Sequence, residues 1–406
     1  MAMGVVTVLN LGVGVNDILF VSFPHQLLHA ISSLKHERAQ SGQPSDDPVI
    51  VWVWAYQAGE HMPGSRFRRL FDKLLVGLPW VQLMFPGYLK RQFTLSPHRS
   101  ISQRARCVNR CFDGKSVRLI GYAHDVGHDH TAQALLQAFP SAKTLCFGDT
   151  PGFLYARDEI ALSMIYRPSV IKQLFHNRMD ADIGLRWRFA DENIVAVRFC
   201  SKSTQGEGSA VVLPTETLIS TMQALCHGLE AERQQQQQFL QQLAAPSKPW
   251  LLLTSNFSES NLTTRLNELS LYSELISRHA LSRDVVIIKP HVGSPANMVR
   301  QIAARLPGLR IVALPESLRW IPVEMLDVIL RDSQTVSVSS STALISLLYG
   351  PDNAHHALTN DMIERYFEPD SRADFRAANE MIVQAIKGNR DLADCRPGLA
   401  EHKIDD

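Results

Sequence analysis

A chain of 406 residues that is 45% hydrophobic and 20% charged is long enough for two or three domains and has the composition of an ordinary globular protein. Its formal net charge of +1 gives no global field that would attract nucleic acid, and no uncharged apolar stretch is long enough to span a bilayer. The six cysteines match no metal-site spacing, and no signal-peptide pattern opens the chain. We therefore expect a cytoplasmic protein that does not bind nucleic acid.

The first half of the chain alternates strand and helix patterns. Short apolar runs predict strands at 5–11, 49–54, 117–122, 143–147 and 194–199. Stretches between them predict a strand-to-helix turn at 12–17 and helices at 23–35, 66–75 and 131–139. This alternation is typical of a Rossmann-like domain built on a parallel sheet.

Two polar loops follow predicted strands of this half. His124, Asp125 and His128 lie in the first loop, where Gly127 disfavours the helix that would bring the two histidines onto one face. We favour a substrate-facing loop here over a metal site. The second loop contains Asp149 before a Pro-Gly turn, where the carboxylate either caps the turn or acts in a functional site.

A linker separates the two halves. A helical stretch at 217–243 contains the glutamine tract 234–238 and runs into 244–249, which is rich in alanine and proline. Strands are then predicted at 250–254, 285–288, 310–314 and 335–338, and helices at 265–279, 295–305, 322–330 and 342–349. These four strand–helix units predict a second Rossmann-like domain.

Polar side chains follow two strands of the second half. The strand at 285–288 leads into Lys289, His291, Gly293 and Ser294. The strand at 335–338 leads into Ser339, Ser340, Ser341 and Thr342 at the start of a helix. Ligands bind at the carboxyl ends of the strands in open α/β sheets, and hydroxyls at a helix N-terminus can hold an anion. The two groups together predict a site for the phosphate of a small molecule.

Four short motifs, in this order, resemble those of the bacterial polysialyltransferase-like family and, more distantly, other bacterial GT-B sialyltransferases. The motifs are Gly148–Gly152, Lys289–Val292, Pro315 with Glu324, and Ser339–Thr342. The resemblance implies an α/β fold of the GT-B type, in which two Rossmann-like domains face each other across a cleft. It implies an acceptor-side domain at 1–245, a domain that binds the nucleotide sugar at 250–350, and a helical segment at 351–406 that packs back on the N-terminal domain.

The same resemblance implies an inverting, metal-independent glycosyltransferase without a cofactor. It would move sialic acid or a related nonulosonic acid from a CMP donor to a hydroxyl of a glycan or glycolipid, in the cytoplasm or peripherally at the inner membrane. Asp149 would be the base, and His291 the acid or a phosphate ligand. The nucleotide and phosphate ligands would be Lys289, Gly293, Ser294, Pro315, Glu324, Ser339, Ser340, Ser341 and Thr342. The acceptor side would include His124, Asp125, His128 and Gly152.

Two other classes of protein remain open. A sugar-nucleotide epimerase shares the two-domain fold and needs several carboxylates and histidines, to which the loop 124–130 could contribute. A non-catalytic binding protein of the same fold is the second alternative. It is suggested by departures from the family motifs, because Val292 follows His291 and Thr150 follows Asp149.

Overall fold

The computed structural model describes residues 17–53, 64–84, 101–112, 115–123, 130–148, 190–196 and 211–394. These residues form two compact units. The first contains the described residues up to Gly148 together with 190–195 and 211–213, and the second contains Ala196 and 214–394. The strand predicted at 5–11 lies outside the described residues.

The first unit is built on a parallel sheet with seven strands in its described part. The strands are β1 Asp17–Val21, β2 Val49–Val53, β3 Val81–Met84, β4 Leu119–Ala123, β5 Lys143–Gly148, β6 Glu192–Val195 and β7 Val211–Val212. The described helices are α1 Gln26–Ser41, α2 Gly64–Leu74, α3 Ile101–Cys111 and α4 His130–Ala138. The strand order β3-β2-β1-β4-β5-β6-β7 steps outward from β1 and then crosses to β4, which is the doubly wound pattern.

β1 begins at Asp17, a residue that the sequence placed in a strand-to-helix turn. All five residues of β1 are buried. The Asp17 carboxylate accepts hydrogen bonds from Arg38 at 2.9 Å and Arg118 at 2.7 Å. These ion pairs offset the desolvation of the charge, so a carboxylate can begin a fully buried strand. The predicted turn is therefore wrong at its last residue.

The second unit is built on a parallel sheet with five strands among its described residues. The strands are β8 Trp250–Leu253, β9 Val285–Lys289, β10 Arg310–Ala313, β11 Gln334–Ser337 and β12 Ala354–His356, in the order β10-β9-β8-β11-β12. The described helices are α5 Thr215–Cys226, α6 Glu230–Leu243, α7 Arg265–His279, α8 Met298–Arg305, α9 Glu316–Arg319, α10 Asp327–Asp332, α11 Ser341–Tyr349, α12 Asn360–Tyr366 and α13 Pro369–Asp394. The predicted α/β class with two Rossmann-like domains is confirmed.

Two predicted helices of this unit are interrupted. The helix predicted at 217–243 is divided into α5 and α6 by a 3-10 turn, His227–Leu229, and Gly228 at its centre has a low helix propensity. The helix predicted at 322–330 starts instead with the 3-10 turn Val323–Met325 and becomes α-helical only in α10. Pro322 has an extended backbone with ψ of 138°, which does not continue a helix.

The helices at both ends of the second unit pack within it. α6 packs against α10, and α5 packs against the Val323–Met325 turn and α11. The described contacts thus place α5 and α6 with the second unit, where the sequence predicted the first domain to continue to residue 245. α13 packs on α11 and α12. The predicted packing of the segment 351–406 on the N-terminal domain stays a prediction.

Candidate functional site

The two predicted polar groups of the second unit lie at one edge of its sheet. β9 and β11 both pair with β8, in parallel, so the loops that follow these three strands leave the sheet at the same edge. Neighbouring strands are about 4.8 Å apart, which puts the ends of β9 and β11 roughly 10 Å from each other. The strand order changes direction between β8 and β11, and this switch point is where doubly wound sheets bind ligands.

His291 lies in a tight turn that is fixed by backbone donors. The His291 N–H donates to the Thr254 hydroxyl at 3.0 Å, and the Ser294 N–H donates to the His291 carbonyl at 2.9 Å. The Gly293 N–H donates to the ring Nδ1 of His291 at 3.1 Å. Because the Nδ1 lone pair accepts this bond, the proton of the neutral ring is on Nε2. The partly exposed imidazole is therefore set up as an Nε2–H donor.

The serine cluster forms the turn between β11 and α11. The Ser339 N–H donates to the Ser337 hydroxyl at 3.1 Å, and the hydroxyls of these two serines are 2.9 Å apart. Thr342 is fully buried, and its hydroxyl donates to the Ser339 carbonyl at 2.8 Å, so we assign it to the turn. Ser340 and Ser341 are partly exposed at the N-terminus of α11. The N–H groups of Thr342 and Ala343 donate to the Ser339 and Ser340 carbonyls, so an anion would be held by the two hydroxyls at the positive end of the helix dipole.

Lys289 and Ser294 are tied to Arg319, which the sequence did not single out. The Lys289 ammonium donates to the Arg319 carbonyl at 2.8 Å, and the Arg319 guanidinium donates to the Ser294 carbonyl at 3.1 Å. Burial lowers the pKa of Lys289 to about 8; the charge of Arg319 also lowers this pKa, and the charge of Glu324 opposes both. Ser294 is itself buried, and its hydroxyl donates to the Ser255 carbonyl at 3.3 Å. These bonds join the His291 turn to α9.

Pro315 and Glu324 lie before and after α9 in the chain. Pro315 immediately precedes α9, and Glu324 is buried in the 3-10 turn before α10. The carbonyl of Glu324 accepts a hydrogen bond from the Tyr349 hydroxyl at the end of α11. The helix that begins at the serine cluster therefore ends against the turn that carries Glu324.

The other predicted site residues lie outside the described residues. These are Asp149, His124, Asp125, His128 and Gly152. Their roles stay predictions. Among the residues that the structure does describe, no group of three or more His, Cys, Asp or Glu side chains is placed to hold a metal ion. No helix in the described ranges is long and apolar enough to cross a membrane.

Sequence reasoning missed Thr254, Arg319 and the buried pair Glu268 and Tyr272 behind the His291 turn. A signal for Thr254 was available, because it directly follows a buried strand whose carboxyl end faces the switch point. Arg319 had no comparable signal, since it acts through a backbone carbonyl 30 positions from Lys289.

The chain matches no protein-family model and no curated protein. Solved structures do match. UDP-GlcNAc 2-epimerase from Neisseria meningitidis, bound to UDP-GlcNAc, is 12% identical with a TM-score of 0.45, and the match covers 83% of this chain and 80% of that chain. Phytolacca americana UGT2, complexed with UDP-2fluoro-glucose and pterostilbene, is 14% identical with a TM-score of 0.41 and 95% coverage of both chains.

A third match is the Escherichia coli heptosyltransferase WaaC with ADP. It is 13% identical with a TM-score of 0.32, over 82% of this chain and 84% of that chain. TM-scores this low do not establish a shared fold. The fold assignment therefore rests on the strand order and register of the two sheets in this chain.

Proposed function

We propose that this protein is an inverting, metal-independent glycosyltransferase that uses a nucleotide sugar. The observation that carries the proposal is the placement of the His291 turn and the N-terminus of α11 at one edge of the second sheet, beside its switch point. An Nε2–H donor, two serine hydroxyls and the positive end of a helix dipole are groups that stabilise a departing phosphate.

The donor class rests on the resemblance of the four motifs to bacterial sialyltransferases. That resemblance implies a CMP ester of sialic acid or another nonulosonic acid as the donor, and a glycan or glycolipid as the acceptor. The acceptor oxygen attacks the anomeric carbon on the face opposite the phosphate, and a new C–O bond forms as the C–O bond to CMP breaks. The bonding electrons leave with the phosphate, where His291 donates a hydrogen bond from Nε2. The acceptor proton passes to the Asp149 carboxylate.

The first prediction is that CMP or CDP raises the thermal unfolding midpoint more than UDP, GDP or ADP does. At a ligand concentration about a hundredfold above Kd, the stabilisation is about 2.7 kcal/mol. Replacing Ser340 and Ser341 together with alanine should shrink the shift, because two phosphate ligands are lost. Ser220→Ala is the matched control, since its exposed hydroxyl donates to the Thr217 carbonyl on the surface of α5.

Incubation with CMP-sialic acid and an acceptor, in the presence of EDTA, should release CMP. Stronger stabilisation by UDP would contradict the CMP donor, and interconversion of a UDP-sugar without transfer would identify an epimerase instead. Binding of CMP without release from the donor would identify a non-catalytic binding protein. No stabilisation by any nucleotide would rule out the phosphate site itself.

A further inference from the structure

The loop 254–258 that follows β8 lies directly against the His291 turn. Its Thr254 hydroxyl accepts the His291 N–H at 3.0 Å, and its Ser255 carbonyl accepts the Ser294 hydroxyl at 3.3 Å. Asn256 lies beside Gly293, where a Cβ on the glycine would be in van der Waals contact with the Asn256 amide nitrogen at 3.5 Å. The position of the His291 turn therefore depends on the position of this loop.

Two buried polar side chains of α7 hold the other side of the same loop. The Tyr272 hydroxyl accepts the Ser255 N–H at 2.7 Å. The Glu268 carboxylate accepts the Phe257 N–H at 3.1 Å, and the Ser258 hydroxyl donates to it as well. The Tyr272 hydroxyl also lies 3.4 Å from Glu268, so the two side chains form one connected group.

Both side chains are fully buried, so their polar groups need hydrogen-bond partners inside the protein. A buried carboxylate is costly unless several donors satisfy it, and burial is the main cause that raises the pKa of Glu268. Leu271 and Leu275 of the same helix belong to the apolar core of the unit, and Arg265 donates to the Glu268 carboxylate at 3.1 Å. An apolar residue at 268 would pack into this core but would leave the Phe257 N–H without its acceptor. The carboxylate thus fits the loop rather than the core.

We propose that Glu268 and Tyr272 are positioning residues, which fix the His291 turn through the loop 254–258. Tyr272 acts through Ser255, and Glu268 acts through Phe257 and Ser258 of the same loop. The effect on ligand binding rests on the proposed function, whereas the conformational stability of the His291 turn can be measured without any ligand. Loss of either side chain should leave donors of the loop unsatisfied and let the His291 turn open.

The first test is amide hydrogen exchange in the ligand-free protein. Tyr272→Phe keeps the ring and removes the hydroxyl, and we expect the amides of His291, Gly293 and Ser294 to exchange about tenfold faster, which corresponds to a change of about 1.4 kcal/mol. Glu268→Gln should act in the same direction. The matched control is Tyr366→Phe, which removes a hydroxyl that donates at 2.6 Å to Glu274, another carboxylate on α7, without contact to the loop.

The second readout is the ring of His291, followed by nitrogen NMR. In the wild type we expect the Nε2–H tautomer, and in Tyr272→Phe a mixture of tautomers, because Gly293 no longer holds Nδ1. A merely structural loss of stability would not change this signature, and Tyr366→Phe should retain the wild-type spectrum. Unchanged exchange and an unchanged tautomer in both Tyr272→Phe and Glu268→Gln would overturn the proposal.

Titration with CMP separates this proposal from the proposed function. If wild type binds CMP, Tyr272→Phe should bind it about tenfold more weakly and Tyr366→Phe equally well. Faster exchange in a protein whose wild type binds no nucleotide would support the positioning role and refute the proposed function. Faster exchange with unchanged CMP affinity would overturn the claim that the position of the turn matters for the ligand.

Discussion

At the scale of single residues, the hydrogen bonds around His291 decide what its ring can do. The sequence allowed either an acid or a phosphate ligand at this position. With Nδ1 accepting from Gly293, the neutral ring presents Nε2–H, so it can donate to a phosphate without first gaining a proton. This favours the role of phosphate ligand. Lys289 donates to the Arg319 carbonyl and therefore stabilises the contact between the end of β9 and α9.

The roles proposed for His291 and Asp149 predict different behaviour in their variants. His291→Ala should weaken both CMP binding and turnover, because a partner of the phosphate is lost. Asp149→Asn should bind CMP normally and lose turnover by about 10²- to 10⁴-fold, the usual cost of removing a general base. CMP titrations and steady-state rates on the two variants measure this difference. Near-normal turnover in Asp149→Asn would move the search for the base to His124, Asp125 and His128.

At the scale of elements, charged residues at the start of strands organise the first sheet. Asp17 begins β1, and Arg118 directly precedes β4, the neighbouring strand. Arg38 of α1 reaches the same carboxylate, and Arg118 also donates to Glu37 of α1 at 3.0 Å. The pairs lie at the amino ends of the strands, opposite to the edge where a ligand would bind. Their contribution is therefore to the position of α1 on the sheet.

We predict that Asp17→Asn destabilises the protein by about 3 to 5 kcal/mol, because it leaves two guanidinium groups facing a neutral amide. The side chain of Asp17 is 4% exposed and that of Arg38 is 1% exposed. The control is Asp72→Asn, whose ion pair with Arg68 spans 4.0 Å at the surface and should be worth less than about 1 kcal/mol. Urea unfolding of the two variants gives the comparison, and equal losses would contradict the structural role of Asp17.

At the scale of the whole molecule, a pair of half-buried histidines, His279 and His355, makes the second unit sensitive to acid. The ring of Trp250 lies 5.3 Å from that of His279 and 5.7 Å from that of His355. Burial is the main cause that lowers the pKa of both histidines. The charges of His355 and Arg278 further lower that of His279. The charge of Arg390 lowers that of His355, and Asp352 opposes the shift.

The free energy of unfolding should therefore fall as the pH falls through the window below about 6.5. In that window the unfolded chain binds more protons than the folded protein, because the folded-state pKa values lie below the ordinary histidine value. The double variant His279→Gln with His355→Gln lacks these titrations and should lose less stability between pH 7.5 and 5.5. Urea unfolding at several pH values checks this, and parallel pH dependences of wild type and variant would contradict it.

Elements with local signals could be predicted from the amino-acid sequence alone. The helix α7 was predicted at its observed bounds, 265–279, and in the structure the Thr264 hydroxyl caps it by accepting from the Asn267 N–H. The β-branched run that forms β9 and its stop before Pro290 were equally clear. From these signals followed the two Rossmann-like domains and the polar residues at the ends of β9 and β11.

The hydrogen bonds that hold those residues join distant parts of the chain and could not be predicted from local signals. The bond between His291 and Thr254 spans 37 positions, and that between Lys289 and Arg319 spans 30. Asp17 could be recognised as part of a strand only once Arg118, 101 positions away, was beside it. Local periodicity reports which face of an element is buried, but a hydrogen bond between distant loops depends on strand order and register. Those are fixed by the packing of the whole sheet.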